Sequence, residues 1–285
     1  MGTPFISCLQ PQDILHLYTK TNPHTQQPPS IPKTFLDAMS VRESVYVTEQ
    51  KIPLENEFDS DDPRSCHWVI YASVNKTDSP AVLSPSGTIL RPRRSTHLSL
   101  PIGTIRLVPF PHPPHPQSGG IYIDGQLTNP SSSNPPSPSA QTPSLNFKDR
   151  PTTFHDGLEP YIKLGRLAVL PEFRRMGIAS QLIRASINWM QENHTIFNPR
   201  PSALGFEALG MDHNQGILPK WRGLICVHAQ ETAVSTWEKF GFEVDKEMGT
   251  WFEEGIPHVG MWRRVKVGDG GGLVESVVSG GTKLP

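Results

Sequence analysis

Residues 164–190 read Leu164-Gly-Arg-Leu-Ala-Val-Leu-Pro-Glu-Phe-Arg-Arg-Met-Gly-Ile-Ala-Ser-Gln-Leu-Ile-Arg-Ala-Ser-Ile-Asn-Trp-Met190. An apolar stretch of strand type, Tyr161–Leu170, leads into a basic, glycine-bearing turn. The turn opens an amphipathic helix from about Arg175 to Asn193. Ala179, Leu182, Ile183, Ile187 and Met190 fall on one stripe of that helix, the spacing of a face that packs on a sheet. Such a turn aims backbone N–H groups and Arg side chains at one point. A helix start carries about half a positive charge, which stabilises an anion there by roughly 0.3–1 kcal/mol before the Arg side chains add to it.

Outward from this stretch, further elements can be read. Phe35, Met39, Val41, Val45 and Val47 predict a helix within 32–50. His67–Val74 and Ile102–Phe110 alternate in the manner of strands. Between them, the Ser/Pro/Arg-rich stretch 75–100 reads as an unstructured loop. The tract 111–158, with its Pro-His-Pro-Pro-His-Pro and Ser-Ser-Ser-Asn-Pro-Pro-Ser-Pro-Ser runs, buries too little apolar area to offset its chain entropy and is predicted to be disordered. A second insertion, 196–222, precedes a strand at Leu224–Ala229. A helix at Glu231–Phe240 is ended by Gly241 as a left-handed cap. Strands follow near Phe242–Lys246 and His258–Val265, and the Gly-rich tail 268–285 is predicted to be flexible. The alternation of strands and helices predicts an α/β fold with a mixed sheet, in one domain spanning 1–267.

Bulk composition narrows the function classes. The chain has 285 residues, a net charge of −1, 30 Pro and 23 Gly, so irregular chain is abundant and no global field favours nucleic acid or a membrane surface. The apolar run Leu224–Ala229 is far too short to span a bilayer. The start, Met-Gly-Thr-Pro-Phe, lacks the basic and apolar regions of a secretory signal. Cys8, Cys66 and Cys226 are odd in number and widely spaced, which predicts reduced thiols in the cytoplasm or nucleus and no zinc site. His112 and His115 have metal-ligating chemistry, but in such a tract they read as linker residues. The sequons at Asn75 and Asn193 read as chance.

Three stretches carry side chains able to do chemistry. Six acidic residues lie within 49–62 (Glu49, Glu55, Glu57, Asp59, Asp61, Asp62), followed by His67-Trp68. They read as a solvated acidic loop or as an attractor for a cationic amine. Glu49 is singled out because it ends a helix beside Gln50 and a Pro-bounded turn, where side chains face a pocket. In His228–Phe242, Gln230 stands at the carboxyl end of a strand, where open α/β sheets place ligands. Trp237 and Phe240 read as packing residues there, and His228 as a hydrogen-bonded core histidine rather than a base. In Gly249–Trp262, Glu253-Glu254-Gly255 reads as a turn. His258 at a strand entrance reads equally as a titrating cleft residue or as one bonded to a carbonyl.

Arg174, Arg175, Gly177 and Ala179 fit R-x-x-G-x-A, the pyrophosphate loop of the GNAT acyl-CoA N-acyltransferases. With Val41–Pro53, Gly165–Met190, His228–Phe242 and Gly249–Met261 in order, about half of the chain resembles that superfamily, and within it the ElaA-type branch. The resemblance implies a mixed sheet splayed at its centre and flanked by helices, here with long irregular insertions. It implies acetyl-CoA as co-substrate and no metal. Leu167, Ala168 and Val169 would hold the pantetheine arm, and Arg174, Arg175, Met176, Gly177, Ile178 and Ala179 would cradle the pyrophosphate. Gln230 stands where relatives carry an Asn that touches CoA. Trp237 stands where many relatives carry the Tyr that protonates the departing thiolate; an indole N–H is no acid at neutral pH, so another group, such as Ser235, or solvent would supply that proton.

The reaction so implied is direct transfer of an acetyl group to a primary amine: a small amine, an amino sugar or a protein lysine. Glu49 and His258 are the candidate catalytic residues, for acceptor binding or as base. A backbone N–H near Ala168–Val169 would polarise the thioester oxygen. Cys226 reads as an inert core thiol. A monomer and a homodimer are both compatible with the sequence. Two other classes use the same helix start: an acyl-CoA-binding regulator without turnover, and a nucleotide-binding protein. The second lacks both G-x-x-x-x-G-K-[ST] and G-x-G-x-x-G after a strand.

Overall fold

The structure, a computed structural model, describes residues 5–87, 89–128, 149–197 and 220–268. In chain order it contains β1 (Phe5–Leu9), α1 (Lys33–Arg42), β2 (Cys66–Ser79), β3 (Val82–Leu83), β4 (Ile89–Arg91), β5 (Arg94–Val108), β6 (Ile121–Ile123), β7 (Gln126–Thr128) and β8 (Ile162–Val169). Next come α2 (Ile178–Glu192), β9 (Leu224–Gln230), α3 (Val234–Glu238), β10 (Glu243–Val244), β11 (Thr250–Glu253) and β12 (Ile256–Arg264). One mixed sheet runs β1-β2-β5-β8-β9-β12-β11-β6-β7, with β10 beside β12. The pairs β8–β9 and β11–β6 are parallel, and the rest are antiparallel.

The centre of the sheet is splayed. β8 and β9 pair only at Ile162–Leu164 against Ile225–Val227. Beyond that point β8 carries an extra residue opposite β5: Thr104 faces Ala168 and Arg106 faces Gly165, so three steps on β8 match two on β5. Arg166, at φ 50°, is the turned residue of this bulge. A bulge bends its strand and raises the local twist, which carries the end of β8 away from β9. The expectation of an α/β fold around a mixed, centrally splayed sheet thus holds.

The two faces of the sheet are covered differently. Ile178, Leu182, Ile183, Ile187 and Met190 of α2 pack with Ile70, Ile105, Leu107, Ile162, Leu164, Ile225 and Val227 on one face. At roughly 1.5–3 kcal/mol per buried aliphatic side chain, this layer is the main apolar source of stability. On the opposite face α1 runs directly into a π-helical turn, Glu43–Glu49, whose Val45 and Tyr46 pack with Val41 against Ala168. The far half of that face is closed by Tyr161, Met248, Trp251 and Trp262.

Two stretches are more ordered than their composition predicts. Residues 75–100 contain strands: β2 and β5 stay paired out to Ser79 opposite Arg94, and β3–β4 form a small separate sheet. Backbone pairing in an exposed hairpin does not need an apolar pattern, so no periodicity marks it. In the tract 111–158, residues 121–128 form the β6–β7 hairpin and add to the main sheet through β11. His112, His115 and His155 are buried around Tyr161 and Trp262. His112 Nε2–H donates to Tyr161 O at 2.9 Å, and His155 Nδ1 accepts from His115 Nε2–H at 2.9 Å. These histidines are packing residues, neither linker nor metal ligands. The rest of that tract (129–148), most of the insertion 196–222 (198–219) and the tail 269–285 lie outside the described residues. The helix predicted at Glu231–Phe240 is a 3-10 turn, Glu231–Ala233, followed by α3 and ended by Gly241 at φ 71°.

Candidate active site

A basic, glycine-bearing turn closes β8 and starts α2. Arg175 at φ 62° and Gly177 at φ 76° bend the chain so that Gly177 caps the helix, and no side chain occupies the cap. The amides of the first helical turn are therefore left without the usual Ser, Thr or Asp partner. A Cβ built on Gly177 would meet nothing within 4 Å, so the space over those amides is open. Arg174, Arg175 and Met176 are exposed around it, Ala179 is half-buried, and Ile178 turns inward to the core. Arg175 makes no ion pair among the described residues, whereas Arg174 is already engaged. The donor set fits a diphosphate: free amides at a helix start and two guanidinium groups.

Arg174 is held by Glu49. Its Nη1 and Nη2 donate to the two carboxylate oxygens at 2.8 and 2.5 Å. The hydrogen bond from Arg174 holds the Glu49 carboxyl below its ordinary range. Glu49 thus lies at this turn, ionised and bidentate, a poor starting state for a base. Next to it, Gln50 and Gln230 exchange amide hydrogen bonds at 3.0 and 3.2 Å across the mouth of the splay. Tyr46 Oη donates to Leu167 O at 3.1 Å. One short segment, 46–50, thereby touches β8, the turn that follows it and the end of β9.

The acidic segment is neither a solvated loop nor an open amine trap. Glu57 and Asp62 are buried against Arg42, whose Nε donates to Glu57 at 2.6 Å and whose Nη1 donates to Asp62 at 2.7 Å. Arg106 bonds Asp59 and Asp62, Arg166 bonds Asp59, and Arg64 bonds Asp61. Burial raises the Asp62 carboxyl, but Arg42 and Arg106 override it and hold it well below the ordinary carboxylate value. Glu55 takes no part in this network.

The remaining polar groups gather on the sheet face opposite α2, where Gly165 leaves open space: a Cβ there would meet nothing within 4 Å. His258 is buried, faces Gln230 in the β9–β12 register, and donates from Nδ1 to Ile256 O at 2.8 Å. His228 bonds Glu253 at 3.1 Å through Nδ1, and Trp251 Nε1–H donates to the same oxygen at 2.8 Å. Burial first, then Lys163, pushes the His228 imidazole down to about 4 against the pull of Glu253, so the ring is neutral near pH 7. Trp237 is buried against Phe242 with ring centroids 5.1 Å apart, a core residue. Cys226 is buried mid-strand, and burial raises its thiol further.

The structure therefore gathers Glu49, Arg174, Arg175, Gly177 and Gln230 around the splay, with His258 behind Gln230. Sequence reasoning passes over Tyr46, Arg166, Lys163 and Glu253. A usable signal exists for Glu253. Trp251 and Glu253 are two apart in a short strand, so the acid shares the inward face of a buried Trp. The turn itself is Glu254-Gly255, both at positive φ, as a two-residue hairpin loop requires. Among the described residues no group of three or more His, Cys, Asp or Glu is placed to hold a metal, and no helix is long and apolar enough to cross a membrane.

Residues 146–206, which include β8, the turn after it and α2, match the model of the Acetyltransferase (GNAT) family. Among solved structures, a candidate N-acetyltransferase of Lactobacillus plantarum is similar at 17% identity and TM-score 0.44, over 92% of this chain and 99% of that one. Escherichia coli ElaA is similar at 16% identity and TM-score 0.42, over 92% and 100%. An acyl-CoA N-acyltransferase from Pseudomonas aeruginosa is similar at 14% identity and TM-score 0.41, over 92% and 99%. No curated protein matches the chain.

Proposed function

We propose that this chain, whose residues 146–206 match the GNAT acetyltransferase family, is an acetyl-CoA-dependent N-acetyltransferase acting on a primary amine in a ternary complex. The match to that family over β8 and α2 supports an acyl-CoA-dependent N-acyltransferase. The observation that carries it is the uncapped, open start of α2 beside a β8 that leaves β9 after Leu164. Free amides and Arg175 suit a diphosphate, and the unpaired edge of β8 suits an amide-bearing arm.

In this reading, backbone groups of Leu167–Val169 hold the pantetheine arm and Gln230 contacts it once the Gln50 pair opens. A backbone N–H near Ala168–Val169 polarises the thioester oxygen. The amine attacks the acetyl carbonyl from the side of Gly165, and CoA leaves as the thiolate. With an unperturbed thiol pKa of about 8.5, that thiolate departs without a strong acid, which suits a chain whose Trp237 is a buried core residue. His258, with Nδ1 tied to Ile256 O, presents Nε2 to the acceptor. Glu49 serves the phosphate side through Arg174. We place the enzyme in the cytoplasm or nucleus, from its three free cysteines.

A CoA-release screen over small amines, amino sugars and lysine peptides tests the assignment, with Gly177→Glu as the control. Gly177 is at φ 76° with open space at its Cβ. The left-handed backbone costs a side chain about 1–2 kcal/mol, a loss the fold should survive, while the added carboxylate sits where the diphosphate docks. Expected are release with at least one amine by the wild type, and acetyl-CoA binding weakened about a hundredfold, roughly 2.7 kcal/mol, in the variant. Acetyl-CoA binding without release for any amine would favour a regulator over an enzyme.

A further inference from the structure

A half-buried cation, Lys163, stands on the sheet face over which the amine would enter. We propose that the acceptor bears an anionic group, a carboxylate or a phosphate, several bonds from its amine, and that Lys163 holds that group. This rests on the acyltransferase reading above. Strand parity places the residue. Ile162 and Leu164 of β8 pack with α2, so Lys163 and Gly165 point to the opposite face. Lys163 pairs with Val108 of β5 and with Cys226 of β9, just before β8 and β9 part. Directly opposed residues share a face, so His228, two beyond Cys226, lies on this face as well. Gly165, two beyond Lys163, leaves open space there.

The other cations near this face have carboxylate partners. Arg42, Arg106 and Arg166 share Glu57, Asp59 and Asp62, and Arg64 pairs with Asp61. Lys163 has no hydrogen bond or ion pair among the described residues. Glu253 of β11 is held by His228 and Trp251 at 3.1 and 2.8 Å. Burial first, then Lys163, keeps the His112 imidazole well below its ordinary value, and the same two causes act on His228. The rings nearest the ammonium are therefore neutral near pH 7 and supply no counter-charge. Three N–H donors and a full positive charge are left for an arriving group. An oxyanion suits them, since a charge-assisted hydrogen bond is roughly twice as strong as a neutral one.

The span along β8 sets the length of the acceptor. Lys163 faces Val108 and Ala168 faces Thr104, a separation of about 13 Å along β5 at about 3.3 Å per residue. An extended lysine stem covers about 6 Å of that span. About 7 Å remains between the ammonium and a thioester held near Ala168, even with the stem turned along the strand. An α-carboxylate lies one carbon from its own amine and is too close to bridge that gap. A flexible chain of about five carbons between amine and anion bridges it.

The test compares kcat/KM for CoA release with ε-aminohexanoate, ω-aminohexyl phosphate, α-aminohexanoate and hexylamine, in wild type, Lys163→Gln and Lys163→Glu. The wild type is expected to favour ε-aminohexanoate or ω-aminohexyl phosphate over hexylamine by about ten- to hundredfold, and the better of the two identifies the anion. α-Aminohexanoate is expected to gain nothing over hexylamine. In Lys163→Gln the preference is expected to fall to about threefold or less, and in Lys163→Glu to reverse. Each ratio is taken within one variant, so a general loss of activity leaves it readable. A wild-type preference below about threefold, an undiminished preference in Lys163→Gln, or an equal gain for α-aminohexanoate would overturn the proposal and leave the acyltransferase reading standing. Release with other amines of the screen but with none of these four would do the same. Release with no amine at all would overturn both. Should neither variant fold, the wild-type ratio decides: above about threefold it sustains the proposal, and below that it overturns it.

Discussion

At Arg174, a single residue carries two partners in prospect. Its guanidinium is paired with Glu49, and a diphosphate would compete for the same face. Exposed pairs are worth about 0–1 kcal/mol, so the exchange is inexpensive, and Glu49 would then sit beside added negative charge. Glu49→Gln is expected to tighten acetyl-CoA binding by about two- to fivefold, read by calorimetric titration at low salt, with the difference shrinking as salt is raised. Weaker binding in that variant would mean that Glu49 supports the coenzyme site. The R-x-x-G-x-A turn is legible in the sequence because its geometry is local: backbone angles and adjacent side chains are written in six consecutive residues. Glu49 and Glu253 are only half legible. Their partners, Arg174 and His228, lie 125 and 25 residues away, and no local pattern encodes such pairings.

Among the elements, α1 and its π-helical extension organise the site. The end of this unit reaches the strand, the turn and β9 through Tyr46, Glu49 and Gln50. Its base is fixed by Arg42, which is 1% exposed and bonded to Glu57 and Asp62, themselves 2% and 0% exposed. Removing one member of a buried pair leaves the other charged and unsolvated, at about 3–5 kcal/mol. Arg42→Ala is therefore expected to destabilise the chain by about that amount in chemical denaturation and to weaken acetyl-CoA binding as segment 46–50 loosens. A loss below about 1 kcal/mol would show the network to be solvated. The helix itself is legible from its apolar spacing. The acidic segment is not, because charge counts carry no burial information: the arginines that neutralise it are spread over α1, β5 and β8. The hairpin at 75–100 escapes for the opposite reason, since its apolar residues, among them Val82, Ile89, Leu90 and Leu98, are exposed and mark no buried face.

For the whole molecule, the sheet is closed on its far side by chain whose composition suggests disorder, and this sets a pH response. Burial pushes His67 down to about 4, His115 to about 3 and His228 to about 4, from an ordinary value of 6.5. Each is neutral when folded and protonates more readily when unfolded. Between about pH 6.5 and 4 the unfolded chain thus binds more protons, and stability falls as pH falls. A tenfold difference in proton affinity between the folded and unfolded chain is worth about 1.4 kcal/mol, so these groups remove several kcal/mol over that window. Asp62, held well below the ordinary carboxylate value, keeps its contribution until more acid pH. The melting temperature is expected to be level from pH 7 to 8 and to drop steadily from 6.5 to 4. A level curve through that lower range would mean the three rings are hydrated. The fold class is legible because apolar periodicity is dense near the centre of the sheet. The covering layer is not, because His112 and His155 bury themselves there by stacking on Tyr161 and Trp262 rather than by pattern.

The central claim is that a diphosphate docks on the bare amides at the start of α2 while its arm enters the gap between β8 and β9. A crystal structure of the chain with bound CoA tests it directly. The expected result is phosphate oxygens within hydrogen-bond distance of the amides of Gly177–Ala179, with the pantetheine arm along Leu167–Val169. CoA bound elsewhere, or β8 and β9 paired beyond Leu164 and Val227, would contradict it.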